Sequence, residues 1–242
     1  MQQFFIDSTL EINHEKKLKD DIAHQCIHVL RYQDGKMIRC VDQDGKLALC
    51  KIRLKNEELF ATPIEFVTNN AEMNCKVTLI QALIRKEKWE YCIQKATELG
   101  VYRIVPIELK RNVVHWEKQE TNRKLERYQK IMTEAAEQSR RNNIPKLENI
   151  IQLSDIDQYK SEINFVAYEA EDSSHLRDHL NHPESITIIC GPEGGFEESE
   201  VEYLVKHGFI SVSLGHRILR AETAGLYILS GIDFMLEGFK NA

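Results

Sequence analysis

The segment of this chain best suited to chemistry is a glycine-rich turn at the end of an apolar run. Residues 186–196 read ITIICGPEGGF, so a β-branched stretch runs directly into Gly191, Pro192, Glu193, Gly194 and Gly195. Glycines let backbone approach a ligand closely and adopt positive φ. Proline fixes one turn dihedral, and Glu193 brings a carboxylate able to accept hydrogen bonds from a ribose or an amine. A Cβ at Gly194 is expected to fill ligand space. The turn lacks the GxGxxG dinucleotide fingerprint and the GxxxxGK[ST] phosphate loop, and a purely structural tight turn is the competing reading.

A second segment, SLGHRILRAETAGLYIL at 213–229, has the same layout. A strand ends at Leu214, Gly215 opens a loop carrying Arg217 and Arg220, and a helix starts near Ala221. Glu222 and Thr223 fall in its first turn, where acids and hydroxyls suit unpaired N–H groups. An arginine at such a place can hold a phosphate or bear on a base carbonyl. The competing reading is an Arg220–Glu222 pair that clips loop to helix. A third set is basic: Lys110, Arg111, Gln138, Arg140 and Arg141 are placed to grip phosphates. Lys88, Lys95, Lys124 and Lys130 read as ordinary surface. Nucleophile elbows and zinc-protease strings are absent. His175 and His179 share a helical face but stand as an isolated pair, and no metal is expected.

These segments must be positioned by strands and helices. From residue 73 onward strands alternate with helices: CKVTLIQAL, a helix at 86–99, VYRIVPI, a long amphipathic helix at 122–141, then INFVAYE, SITIIC and FISVSL with short helices at 175–180 and 197–207, and an apolar helix at 221–236. Trp89, Ile93, Ala96 and Leu99 follow helical spacing, and Gly100 stands just past the helix end. Such alternation predicts a mostly parallel sheet covered on both faces. Ligands then bind beyond the strand C-termini, at the loops after Glu169, Cys190 and Leu214. Residues 1–72 read instead as a small β-rich module. It has a first strand QQFFI, a helix at 21–30, strands MIRCV and LALCKI, a further strand at 58–67, and Asp34-Gly35 and Asp44-Gly45 as turn pairs. Polar residues 68–73 mark the boundary.

Bulk properties exclude several classes. A chain of 242 residues can bury one large core or two modest ones. No apolar run is long enough to cross a bilayer, and the N-terminus lacks a secretory h-region, so a cytoplasmic location is expected. The six cysteines form no CxxC pair and read as buried thiols. A net charge of −6 argues against a nucleic-acid partner until its distribution is read: residues 73–150 carry +6, against −2 before and −10 after.

Four strings in order, QKATELGV at 94–101, EAAEQSRR at 134–141, GPEGGF at 191–196 and LGHRILRAETA at 214–224, resemble those of the bacterial 16S ribosomal RNA uridine N3-methyltransferase family. That family belongs to the SPOUT class of trefoil-knotted methyltransferases, and the similarity runs over nearly the whole chain. The resemblance implies an α/β fold with a knotted parallel sheet at 73–242 and a PUA-like RNA-binding β-barrel at 1–72, where HQCIHVLR at 24–31 places Arg31. It implies S-adenosyl-L-methionine as cofactor, wrapped by Gly191–Gly195 and by Leu214, Gly215, Ile218, Leu219 and Arg220. Arg220 is then the leading catalytic candidate, with Glu222 and Thr223 beside it, and Arg31, Lys110, Arg111, Gln138, Arg140, Arg141 and Arg217 face RNA. A homodimer acting on 16S ribosomal RNA within the small subunit, during ribosome biogenesis, is implied too. The start Met1-Gln2-Gln3-Phe4-Phe5 departs from relatives, which carry an early arginine there, and Cys190 replaces a common aliphatic residue. Rival readings are a SPOUT enzyme acting on another nucleoside or a 2′-hydroxyl, and a non-catalytic RNA-binding assembly factor.

Overall fold

The computed structural model of the chain describes residues 1–68 and 71–237. Asn69 and Asn70, inside the expected boundary, lie outside the described residues. Two compact units result: Met1–Glu72 together with Ala136–Asn143, and Met73–Ala135 together with the chain from Ile144 onward.

The first unit is built on β1 (Gln3–Phe5), β2 (Lys16–Lys17), α1 (Asp20–His24), β3 (Met37–Val41), β4 (Leu47–Lys55) and β5 (Glu58–Phe66). Its sheet runs β1-β3-β4-β5-β2, antiparallel except for the β1–β3 pair. Alternation along β3 and β4 buries Ile38, Cys40, Cys50 and Ile52 on one face. The β3–β4 turn is held by Asp42, whose Oδ1 accepts the N–H groups of Asp44 (3.0 Å) and Lys46 (2.9 Å). The helix expected over 21–30 is α-helical only through His24. It then widens into a π turn over Gln25–Val29, in which the Leu30 N–H reaches back five residues to the Gln25 carbonyl at 2.8 Å.

The boundary expected at residue 72 misses a returning segment. Gln3 Nε2 donates to the Arg141 carbonyl (2.6 Å), and the Phe5 N–H to Glu137 Oε1 (3.2 Å). Arg141 was expected to face RNA. It is instead 2% exposed, with its Nε donating to Glu72 Oε2 at 3.2 Å. Glu72 also accepts the backbone N–H of Asn142 at 2.9 Å. A buried guanidinium needs a paired carboxylate, and here the pair fastens the segment inside the first unit.

The second unit contains β6 (Lys76–Ala82), α2 (Lys86–Glu98), β7 (Arg103–Ile107), α3 (Lys118–Gln138), β8 (Lys146–Leu147), β9 (Ile163–Ala167), β10 (Ser185–Cys190), α4 (Glu198–Lys206), β11 (Ile210–Val212) and α5 (Ala221–Glu237). The chain leaves this unit within α3, whose last residues belong to the first. All six strands are parallel, in the order β11-β9-β10-β6-β7-β8. Side chains alternate across the sheet as period-2 strands require. Val77, Leu79 and Ile188 face one core with Trp89 and Ile93 of α2 and Ile228, Leu229 and Ile232 of α5. Ile80, Ala82, Val105 and Ile189 face the other, with Val201 and Leu204 of α4. α5 lies close on the sheet because Gly225 has no Cβ: one would stand 3.1 Å from Leu79.

Several element ends differ from expectation. α3 begins four residues early and stops at Gln138, and Arg140 then takes a left-handed φ of 60°. The stretch FISVSL is strand only over Ile210–Val212; Ser213 adds an isolated bridge to His175, and Leu214 is already loop. The helix expected at 175–180 is a single 3-10 turn, Leu176–His179.

Candidate active site

β9, β10 and β11 are neighbours in the sheet and point the same way, so the loops after them converge on one rim. There they enclose a cavity of about 710 Å3, lined by residues of the 167–175, 191–196 and 213–221 segments, with Lys88 and Ala224. The position beyond the carboxyl ends of parallel strands is the usual ligand site of such sheets.

The GPEGG turn is shaped by what lies behind it. The Gly195 N–H closes back on the Pro192 carbonyl at 3.0 Å, and Gly195 has φ 70°. A Cβ on Gly195 would collide with Glu169 Oε1, and one on Gly191 would stand 2.9 Å from the Phe196 ring. Gly194 lines the cavity and is also packed from behind. A Cβ there would meet the Arg111 carbonyl at 3.0 Å and the Arg111 Cβ at 3.1 Å. A substituent at Gly194 would therefore press on the loop after β7. That loop is itself fixed by Asn112, which accepts the Leu109 N–H (2.9 Å) and donates to the Leu83 carbonyl (2.8 Å).

On the opposite side, Leu214, Gly215, Arg217, Ile218, Leu219 and Arg220 all line the cavity. The Arg220 carbonyl accepts the N–H groups of Thr223 (2.8 Å) and Ala224 (3.0 Å), which begins α5. The Arg220 side chain is exposed. Glu222 and Thr223 are not among the lining residues. The Arg220–Glu222 clip weighed above is not formed among the described residues. Glu222 pairs instead with Lys88, whose Nζ lies 3.4 Å from Glu222 Oε2 and 3.6 Å from Glu193 Oε1. Lys88, read from sequence as ordinary surface, is therefore a wall of the cavity.

The third wall was only located, not itemised, by the sequence. Glu169, Glu171, Asp172 and His175 follow β9 and line the cavity. Glu171 is held well below the ordinary carboxylate range, at about 2, by hydrogen bonds from Ser173. Its Oε1 accepts the Ser173 hydroxyl (2.7 Å) and the backbone N–H groups of Ser173 (3.0 Å) and Ser174 (3.2 Å). The cavity thus has an acidic wall after β9 and a basic one after β11. The available signal for Lys88 was its place one turn into the helix that follows a central strand.

The residues expected to face RNA divide between the two units. Arg31, Gln138 and Arg140 are exposed on the first, where Arg31 has φ 53°. Lys110, Arg111 and Arg217 are exposed on the second. The Lys110 ammonium pairs with Glu197 at 2.9 Å, and Arg111 Nη1 lies 3.5 Å from the Gly194 carbonyl. All six cysteines are buried and unbridged, and burial pushes the Cys92 thiol up to about 12. Among the described residues no helix is long and apolar enough to cross a membrane, and no group of three or more metal-ligating side chains is found.

Residues 71–233 match the family model of the RNA methyltransferase domain. The chain is 34% identical to the ribosomal RNA small subunit methyltransferase E of Bacillus subtilis, over 98% of each protein. It is 32% identical to that of Mesomycoplasma hyopneumoniae, over 95% of this chain and 93% of the relative. Its structure superposes on the ribosomal RNA small subunit methyltransferase E of Neisseria gonorrhoeae bound to S-adenosyl methionine with a TM-score of 0.88, at 28% identity over 97% of this chain and 98% of that one. A parallel α/β sheet with its cavity on the carboxyl rim, matched along almost the whole chain, leaves one conclusion: this protein belongs to the RNA methyltransferase domain family, among the small-subunit ribosomal RNA methyltransferases E.

Proposed function

We propose that this protein transfers a methyl group from S-adenosylmethionine to N3 of a specific uridine in 16S ribosomal RNA. The observation that carries the reading is the meeting of GPEGG, LGHRILR and an exposed Arg220 around one cavity of about 710 Å3. The residues fit the cofactor. Pro192, Phe196, Leu214 and Leu219 offer apolar surface to a base, and Ile218 is 87% exposed beside them. Glu169, Glu171 and Asp172 offer negative charge to a sulfonium and an ammonium. The bound S-adenosyl methionine of the Neisseria gonorrhoeae relative supports this choice. In this reading Gly191–Gly195 and Leu214–Arg220 hold the cofactor, which supplies an electrophilic methyl group.

The chain's own residues do the rest. Uracil N3 carries a proton at neutral pH, and its loss puts negative charge on the flanking carbonyls. Arg220 faces that charge with a planar fork of donors. The two loops hold the reacting atoms in line, and a target in a paired helix leaves its stack to reach them. Arg31, Gln138, Arg140, Lys110, Arg111 and Arg217 contact phosphates. Thr223 supports Arg220 from the first turn of α5 through its N–H to the Arg220 carbonyl, and Glu222 stands beside it, paired with Lys88. The reading further takes residues 1–72, with the returning segment 136–143, as a PUA-like RNA-binding domain and the rest of 73–242 as a knotted methyltransferase domain, in a cytoplasmic homodimer with the small ribosomal subunit as substrate. Calorimetric titration with S-adenosylmethionine should show one saturable site per chain. Ribosomal RNA from cells lacking the gene should lack one 3-methyluridine that is present in the parent. A titration without heat at millimolar cofactor, or unchanged nucleosides, would overturn the reading.

A further inference from the structure

Three segments at the cavity are separate in sequence, and one side chain joins them. Lys88 lies in the first turn of α2, Glu193 in the turn after β10, and Glu222 in the first turn of α5. The Lys88 ammonium stands 3.6 Å from Glu193 Oε1 and 3.4 Å from Glu222 Oε2. The three side chains keep only 27%, 20% and 14% of their surface exposed. Glu193 Oε1 also accepts the Arg85 N–H at 3.3 Å, at the amino end of α2. Both carboxylates therefore sit at helix N-termini, where negative charge is favoured. Their Oε2 atoms are buried and make no hydrogen bond among the described residues. With two half-buried carboxylates and one cation, the cluster depends on Lys88: without it, neighbouring like charges repel in a poorly solvated place.

We infer that Lys88 is a positioning residue for cofactor binding, locking the GPEGG turn and the start of α5 against α2 so that both loops present a formed cavity. The inference rests on the cofactor reading above. Lys88 acts through Glu193 and Glu222, by geometry rather than by its charge on the ligand. S-adenosylmethionine and its neutral thioether product, S-adenosylhomocysteine, should therefore feel its loss alike, since both need the same loops.

The test is calorimetry with both compounds on wild type, Lys88→Met, Lys88→Arg and Lys88→Met/Glu222→Gln, at a temperature where circular dichroism shows every protein folded. Lys88→Met should weaken both compounds about tenfold, the scale of stranding a buried charged partner. Lys88→Arg should recover most of the loss, whereas the double variant, freed of the excess carboxylate but still lacking the tie between the loops, should fold and bind both compounds as weakly as Lys88→Met. The double variant also supplies the reading if Lys88→Met alone does not fold. A lowered melting temperature with unchanged affinities would make Lys88 merely structural and overturn the inference. Tighter binding of S-adenosylmethionine alone would overturn it too, since Lys88 would then act as a charge. A wild-type protein that binds neither compound would remove the cofactor reading itself, and this inference with it.

Discussion

Arg220 and Glu222 are two residues apart, and the structure gives them different neighbours. Glu222 is mostly buried and faces Lys88, while Arg220 is exposed on the cavity and makes its contact to α5 through its backbone carbonyl. Their substitutions should separate accordingly. Arg220→Ala should keep the melting temperature and most cofactor affinity, and lose about 100-fold or more in single-turnover methylation, the scale of one lost charge-stabilising donor. Arg220→Lys should rescue little, since it lacks the planar fork. Glu222→Ala should instead lower the melting temperature by releasing Lys88. Melting curves and single-turnover rates on the three variants check this, and a stable Arg220→Ala protein of near wild-type rate would end the catalytic assignment. Gly194→Val should behave as a packing lesion. Its side chain would press on the Arg111 backbone, so stability and cofactor affinity should fall together.

At the scale of elements, the loop after β9 is ordered by its own carboxylate. Glu171 titrates at about 2 because the Ser173 hydroxyl and neighbouring N–H groups favour its ionised form. A depressed carboxylate contributes stability above its unfolded value of 4.5 and loses it as pH falls towards about 2. Glu171→Gln should therefore melt below wild type at neutral pH, and the gap should close between pH 4.5 and 2. Melting curves across that range give the test. Elements of this kind mark the border of what was legible. β9 and β10 were readable because short β-branched runs between turn residues admit few other forms. The GPEGG and LGHRILRAETA loops stood out because glycine and arginine at a strand end have few structural uses. Lys88 did not, since a lysine on an amphipathic helix has the same local signature whether it meets water or two carboxylates. Arg141 failed for the converse reason: a terminal RR pair reads as surface, and only the fold brings Glu72 to it. The returning segment 136–143 was invisible for the same cause, because its partners stand more than 100 residues away at Gln3 and Phe5.

The whole molecule adds two expectations. α5 buries Ile228, Leu229 and Ile232 against the sheet, yet Tyr227 is 47% exposed and Phe234 82%. Two aromatic rings on the outer face of an otherwise core helix are consistent with the proposed two-fold interface, for which isologous pairing is the common form. Light scattering at micromolar concentration should give a dimer mass for the wild type, and Phe234→Glu should shift it towards monomer with the fold kept. The other expectation concerns charge. A chain of net −6 that binds RNA must do so through local basic surfaces, so its RNA affinity should fall steeply with salt. Methylation of uridine N3 is read directly by reconstitution. Purified protein would be incubated with isotopically labelled S-adenosylmethionine and small ribosomal subunits from cells lacking the enzyme, and the 16S RNA digested for mass spectrometry of its nucleosides. Labelled 3-methyluridine should appear at one position, with no label in other nucleosides or on ribose. Label in a different nucleoside, on a 2′-hydroxyl, or nowhere would contradict it.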